Sequence, residues 1–220
     1  NKRILLFLIE EKILFVDDYI IKTLNKDKYI SEQYHLYLAP EIIPYIKKKF
    51  SQYKLIMNLS KNIPSDFSEK RKKGENDNAI CKIIQNDLIN DFIKENIMDL
   101  NTKVSQSIFE TNSLILKNQP TLIEYAAFFG SIQIFKYLLK KKVILTPSLW
   151  IYGIHSNCTE ILGILEENNI KPDNESFINC LKESLKCHHN EIAYYIIANC
   201  MENIDSERIL QYGLKYYNFY

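Results

Sequence analysis

The stretch 121-TLIEYAAFFGSIQIFKYLL-139 decides the fold, because it is apolar, aromatic and interrupted once, by Gly130 and Ser131. Three structures are compatible with it: a membrane segment, a phosphate-binding turn, or two short helices that meet at a corner. A membrane segment is excluded because Glu124, Lys136 and the polar corner interrupt the roughly 20 apolar residues that a bilayer requires. A phosphate-binding loop is excluded because Gly130 lacks the accompanying glycines and lysine. The stretch therefore predicts a helix–corner–helix unit.

The same pattern recurs twice downstream, in 148-SLWIYGIHSNCTEILGILE-166 and 179-NCLKESLKCHHNEIAYYII-197, with spacings of 27 and 31 residues. In each copy a first helix is predicted to end at a corner residue, which is Gly130, Asn157 or His188. Small residues that allow close packing recur inside the first helix: Ala126, Ala127, Gly153 and Ser184. Short helix pairs of this kind bury their apolar faces by stacking on the neighbouring pair. The sequence therefore predicts a helical solenoid.

The rest of the chain divides by composition. Residues 60–78 are the most polar stretch and predict a linker or segment boundary. We therefore predict an all-α protein in which an N-terminal helical region, residues 1–70, precedes degenerate helix-turn-helix repeats in residues 71–220. The repeats are clearest over residues 120–200, and a last one is truncated at the C-terminus.

The N-terminal region contains its own helix signals. Apolar residues on one side predict a helix over residues 2–15. Asp17 is a suitable N-cap for a second helix. A further helix is expected to begin near Pro40 and to hold Lys47–Lys49 in its last turns. Because the chain begins at Asn1 and not at methionine, we expect it to be a fragment.

The composition excludes several classes of protein. With 28 basic and 27 acidic side chains, the net charge of +1 provides no overall field for attracting nucleic acid or anionic membrane. No apolar run is long enough to span a bilayer, so no membrane association is expected. Five cysteines, an odd number in a chain of this length, indicate reduced thiols and a cytoplasmic protein.

The first copy resembles the ankyrin repeat, whose pattern is T-P-L-H-x-A-A-x-x-G-H-x-E-I-V-x-L-L-L. Thr121 falls on the leading threonine, and Ala126–Ala127 fall on the paired alanines. Gly130 falls on the corner glycine, and Gln133–Phe135 fall on E-I-V. Glu124 departs from the pattern, which has histidine there. The copies are also shorter than the usual repeat of about 33 residues, so we expect tight loops in place of the projecting hairpin.

The wider match is to a family of ankyrin-type proteins that is expanded in parasitic protists. In that family a helical domain of unknown function precedes the ankyrin repeats. The resemblance rests on RKKGENDN, SIFETNS, TPSLW and LKCHHNEIA as well as on the first copy. It is strongest over residues 71–199, and it implies a helical solenoid.

The resemblance implies a non-catalytic protein–protein interaction module that presents a concave surface to an unknown protein partner. No cofactor, metal or small-molecule substrate is predicted. The positions after the paired alanines face the groove in ankyrin proteins; here they are Phe128, Phe129, His155, Ser156, Lys186 and Cys187. Whether Phe128 and Phe129 contact a partner or a neighbouring repeat is left open. The alternative function is a structural cap of a longer ankyrin array.

Other chemistries have weaker support in the sequence. Cys187–His189, with Cys180 and Cys200 nearby, lacks the paired spacing of structural zinc sites. Cys158 and His155 straddle the end of a first helix, so we expect them to have a structural role and not to form a nucleophile with its base.

Three short basic runs, Lys47–Lys49, Lys70–Lys73 and Lys140–Lys142, are typical of helix ends and solvated faces. Nucleic-acid binding is therefore not expected. No nucleotide-binding or hydrolase motif occurs in the sequence, and no catalytic residue is predicted.

Overall fold

The computed structural model describes residues 1–24, 28–46, 63–172, 174–201 and 205–219. These residues form fifteen α-helices and no β-strand, so the predicted all-α class is confirmed for them. In chain order the helices are α1 (Lys2–Glu10), α2 (Asp18–Leu24), α3 (Lys28–Tyr37), α4 (Ala39–Ile46), α5 (Phe67–Lys73), α6 (Ala79–Gln85), α7 (Ile89–Lys94), α8 (Ser113–Asn118), α9 (Leu122–Phe129), α10 (Ile132–Lys140), α11 (Leu149–His155), α12 (Thr159–Glu167), α13 (Asn174–Lys186), α14 (Asn190–Asn199) and α15 (Ser206–Tyr216).

Among the described residues, no helix combines the length and the apolar character needed to cross a membrane.

The chain forms two compact units. Unit 1 consists of Asn1–Asn78 and Ser105–Gln119, and unit 2 consists of Ala79–Val104 and Pro120–Tyr220. The predicted boundary at residue 70 marks where the repeats begin. The division into compact units does not test that boundary, so it stays a prediction.

Unit 1 has a core formed by its first four helices. The buried cluster consists of Leu6, Ile21, Tyr37, Leu38, Ala39, Ile42 and Ile43. Asp17 caps α2 as expected, since its Oδ1 accepts a hydrogen bond from the Ile20 amide at 2.8 Å. The helix predicted over residues 2–15 ends earlier, at Glu10, because the amides of Ile13 and Leu14 both turn back to the Leu8 carbonyl. Helix α4 begins one residue before Pro40, and Lys47–Lys49 lie outside the described residues.

Residues 60–78 are predicted to be a linker or a segment boundary. A linker is wrong for Phe67–Lys73, which form α5, whereas the first segment of unit 1 ends at Asn78. Arg71 is 5% exposed, and its guanidinium donates to both carboxylate oxygens of Glu41, at 2.8 and 3.0 Å. Arg71 also donates to the Tyr37 carbonyl at 3.1 Å, and the Tyr37 hydroxyl donates to the Arg71 carbonyl at 3.0 Å. A bidentate pair of this kind satisfies charged groups inside a fold, so high polarity did not indicate a linker here.

A buried lysine attaches Ser105–Gln119 to α1. Lys2 is 1% exposed, and its ammonium donates to the carbonyls of Ile108 and Glu110, at 2.9 and 3.1 Å, and to Gln33 Oε1 at 3.1 Å. Burial lowers the pKa of Lys2 to about 8, although the Glu110 carboxylate acts in the opposite direction. Unit 1 therefore contains a charged group that is poorly solvated but fully hydrogen-bonded.

Unit 2 consists of helix pairs whose first helices pack in a row. The pairs are α6 with α7, α9 with α10, α11 with α12, and α13 with α14. Among the first helices, α9 packs against α6 and α11, and α13 packs against α11 and α15. Among the second helices, α10 packs against α7 and α12. Close packing within one pair depends on Gly153, where an added Cβ would lie 3.1 Å from Leu162 Cδ2.

Each first helix of unit 2 ends in the same hydrogen-bonded corner. The corner residues are Asp87, Gly130, Asn157, His188 and Tyr217, and their φ angles lie between 50° and 68°. In every corner this residue's N–H donates to the carbonyl three positions earlier, at 2.9–3.3 Å. The next N–H donates to the carbonyl five positions before it, at 2.9–3.4 Å. These bonds satisfy the last helical carbonyls and turn the chain towards the second helix.

Side chains that follow the corners connect neighbouring pairs. Three of them donate to a carbonyl near the end of the preceding first helix: Ser131 to Ile84 at 2.5 Å, His189 to His155 at 3.2 Å, and Asn218 to Leu185 at 3.0 Å. In addition, the carboxylate of Asp87 accepts from the amides of Gln133 and Ile134, at 3.0 Å each, and so caps α10 from the neighbouring pair. Successive first helices are therefore held in register by polar contacts as well as by apolar packing.

Candidate functional site

The six positions predicted to face a partner lie at the C-terminal ends of α9, α11 and α13, and these helices pack side by side. One further residue, Glu183 on α13, contacts several of them. We refer to this set as the corner surface: Phe128, Phe129, His155, Ser156, Glu183, Lys186 and Cys187.

The aromatic part of the corner surface is largely covered. Phe128 is 7% exposed and stacks on the His155 ring, with ring centroids 4.1 Å apart and an interplanar angle of 12°. It also contacts Tyr152 edge-on at 6.4 Å. Phe129 is half-buried and packs against Tyr125 and Phe128, at 4.9 and 5.0 Å between ring centroids. Phe128 therefore packs against the next helix pair, whereas Phe129 keeps part of its ring accessible.

The polar part of the corner surface converges on Glu183, which is 7% exposed. Its Oε1 lies 2.7 Å from His155 Nδ1, and both of its carboxylate oxygens accept hydrogen bonds from the Lys186 ammonium at 3.1 Å. The Cys187 thiol lies 3.6 Å from Glu183 Oε1 and 3.5 Å from His155 Nδ1. Ser156 is turned inward, because its hydroxyl donates to the Gly153 carbonyl at 2.9 Å.

The charges in this cluster follow from burial and from its cations. Burial alone would raise the pKa of Glu183, but the hydrogen bond with His155 and the nearby Lys186 ammonium outweigh it and lower that pKa. Burial and the Glu183 carboxylate raise the pKa of the Cys187 thiol to about 11. At neutral pH the cluster therefore contains an ionised carboxylate next to a protonated thiol.

The arrangement differs from that of a cysteine–histidine–acid triad. In a triad the acid and the nucleophile use opposite ring nitrogens, so that the imidazole can pass a proton between them. Here Glu183 and Cys187 both lie against Nδ1 of His155, and the three atoms form a triangle and not a line. The cluster is therefore not arranged for nucleophilic catalysis by Cys187.

Glu183 was not predicted from the sequence as a member of this site. The available signal was its spacing, since Lys186 and Cys187 follow it by three and four residues and so lie on one helix face. Nothing local to α13 indicates that His155, on a different helix, completes the cluster.

The cysteines and histidines that lie close together in the sequence and were considered as zinc ligands do not form one cluster in the described structure. Cys180 is 2% exposed, and burial raises the pKa of its thiol to about 12. In the part of the chain that the structure describes, the only group of three potential metal ligands is His155, Glu183 and Cys187. Of the residues grouped by sequence, this set includes Cys187 alone.

A separate cavity of about 470 Å³ lies in unit 2. Its lining includes Trp150, Phe177, Tyr195, Glu166 and Lys171. Two of these groups are already hydrogen-bonded: the Trp150 indole donates to the Ile170 carbonyl at 2.6 Å, and the Tyr195 hydroxyl donates to Glu166. Aromatic side chains therefore line the cavity, and the polar atoms of Trp150 and Tyr195 already have hydrogen-bond partners within the chain.

The basic runs are mostly paired or dispersed where the structure describes them. In Lys70–Lys73, Lys70 bonds to Asp66 and Asp77 at 3.0 Å each, and Arg71 is buried in its pair with Glu41. Lys140–Lys142 are exposed at the end of α10. Lys140–Lys142 match the expected role of helix-end charges, whereas Arg71 is buried and does not lie on a solvated face.

Comparison of the chain with protein-family models, with curated proteins and with solved structures gives no match.

Proposed function

We propose that this chain is an ankyrin-type repeat protein that binds a protein partner without catalysis, through the corner surface. The observation that carries the proposal is the repetition of one corner geometry at five successive first helices that pack in a row. Repetition of this kind is typical of solenoids, whose helix ends form a continuous surface.

The character of the corner surface supports protein recognition. It combines a partly accessible aromatic ring, Phe129, with the half-buried His155 and the exposed Lys186. Stacking on Phe128 and bonding to Glu183 already restrain His155, so binding costs little ordering entropy. Aromatic and cationic side chains on a rigid support are typical anchors of protein interfaces.

The test is affinity capture of proteins from a native extract with the wild-type chain and two alanine variants. Phe129→Ala is expected to reduce capture of the specific partners at least about tenfold, because it removes an aromatic anchor. Tyr194→Ala is the matched control, since Tyr194 is an aromatic residue on α14 that is 61% exposed. Thermal unfolding of both variants checks that each is folded.

A loss of capture that is equal in both variants would contradict binding through the corner surface. Unchanged capture by Phe129→Ala would favour the alternative function, a structural cap of a longer repeat array. A large loss of stability in Phe129→Ala, approaching the about 3–5 kcal/mol typical of a buried phenylalanine, would assign Phe129 to the core.

A further inference from the structure

The triangle formed by His155, Glu183 and Cys187 brings three potential metal ligands together. Its three ligand atoms, Nδ1, Oε1 and Sγ, lie 2.7, 3.5 and 3.6 Å apart. In a tetrahedral zinc site, bond lengths of about 2.0–2.3 Å place neighbouring ligand atoms about 3.3–3.7 Å apart. Both edges that involve sulfur therefore already have the length that a bound zinc ion requires. The nitrogen–oxygen edge would open by about 0.6 Å as its hydrogen bond is replaced by two metal bonds.

We propose that His155, Glu183 and Cys187 form a binding site for a divalent cation of the zinc class. A thiolate, an imidazole and a carboxylate together suit Zn²⁺, whereas Mg²⁺ and Ca²⁺ prefer oxygen ligands only. The fourth coordination position is available to water, since His155 and Cys187 are each only partly buried.

The protein holds the three ligands in place without a metal. Glu183 and Cys187 are four residues apart at the end of α13, so both side chains leave the same face. His155 ends the neighbouring helix α11, and its ring is fixed by stacking on Phe128. Binding therefore requires only small side-chain movements within packed elements.

Lys186 provides a way to distinguish a metal site from a structural cluster. Its ammonium lies 3.1 Å from both oxygens of Glu183, so its charge repels an incoming cation. On binding, the thiol of Cys187 releases its proton to the buffer. The Nδ1 proton that His155 donates to the Glu183 carboxylate also leaves, moving through solvent to Nε2 or to the buffer. The thiolate sulfur and the Nδ1 nitrogen then each donate an electron pair to the metal. Removal of the lysine charge should therefore strengthen metal binding, although the lysine is not a ligand.

The experiment titrates the full, reduced chain with Co²⁺, whose thiolate charge-transfer absorption reports a sulfur ligand, and then displaces it with Zn²⁺. The wild-type chain is expected to show this absorption. In Cys187→Ser the absorption is expected to disappear and the affinity for Zn²⁺ to fall by more than about 100-fold, since loss of an outer-shell group alone costs about 10–100-fold. Lys186→Met is expected to bind Zn²⁺ more tightly than the wild type.

Cys158→Ser is the matched control, because Cys158 is a half-buried thiol three residues from His155 but outside the triangle. It should retain wild-type absorption and affinity. The proposal is overturned if Co²⁺ gives no charge-transfer absorption with the wild-type chain, or if the absorption survives in Cys187→Ser. Weaker Zn²⁺ binding by Lys186→Met would overturn it as well. Circular dichroism of each variant verifies that the helices are intact.

Discussion

At the scale of single residues, the corners show that the strain of a left-handed backbone depends on which side chain the residue has. Gly130 occupies the left-handed region at φ 68°, where glycine has no Cβ penalty. Four other corners use Asp87, Asn157, His188 and Tyr217 at similar angles. Asparagine and aspartate tolerate this region better than other residues with a side chain, so the strain differs among corners that have the same hydrogen bonds.

Exchanges at two corners test this directly. Gly130→Ala is expected to lower the free energy of unfolding by about 1–2 kcal/mol, because an added Cβ strains the left-handed backbone. The neighbouring side chains leave room for it, since that Cβ would lie 3.5 Å from Ser156 Cβ. His188→Gly is expected to raise the same free energy by up to about 1 kcal/mol, since relief of strain exceeds the added chain entropy. Urea denaturation measures both, and effects of equal sign would contradict the strain argument.

A second prediction at the scale of single residues concerns how the contribution of Lys2 to the free energy of unfolding depends on pH. Its pKa is about 8 in the folded chain and near 10.5 when unfolded, so between these values the unfolded state binds one more proton. The contribution of Lys2 to stability therefore rises with pH across this window, by up to about 3 kcal/mol, and is lost as pH falls towards 8.

The measurement compares the wild type with Lys2→Met, an unbranched uncharged side chain of similar length. Thiols and tyrosines also titrate in this range, but they are common to both chains. The difference in unfolding free energy between the two should therefore change from pH 8 to pH 10.5 in favour of the wild type. A constant difference would show that Lys2 is not desolvated in the folded state.

At the scale of elements, α9 illustrates how a local cap becomes a contact between helix pairs. Thr121 and Glu124 form a capping box, in which the Thr121 amide donates to Glu124 Oε2 at 2.8 Å. The other oxygen of Glu124 accepts from Thr146, at 3.0 Å, and from Ser148, which precede the next first helix. Glu124 therefore takes part both in the cap of α9 and in the contact with the neighbouring pair.

Two variants separate these roles. Glu124→Ala removes the cap and the hydrogen bonds to Thr146 and Ser148, so the free energy of unfolding should fall by about 2–3 kcal/mol. Glu124→Gln retains a capping side chain of the same shape and should cost less than about 1 kcal/mol. Chemical denaturation distinguishes them; similar losses in both variants would mean that the carboxylate charge, and not the hydrogen-bond geometry, is what stabilises α9.

At the scale of the whole molecule, each unit uses polar residues inside its packing. Unit 1 places Lys2 and Arg71 among apolar helices, where they donate hydrogen bonds to carbonyls and to Glu41. Unit 2 aligns its first helices through repeated corners and gathers His155, Glu183 and Cys187 from two of them. The functional surface proposed here thus depends on stacking of helices that are separate in the chain.

The sequence by itself determined the helical class and the positions of the corners at Gly130, Asn157 and His188. Such features depend on signals within a few residues, namely apolar periodicity, caps and residues that accept a left-handed backbone. The tertiary structure decided that Phe128 stacks on His155, that Glu183 joins His155 and Cys187, and that Arg71 lies in a buried ion pair. Apart from the contact between Glu183 and Cys187 on one helix face, these contacts join residues about 27 to 32 positions apart. Local sequence patterns do not predict which distant side chain will pair with a buried charge, because the two residues come into contact only when the helices pack.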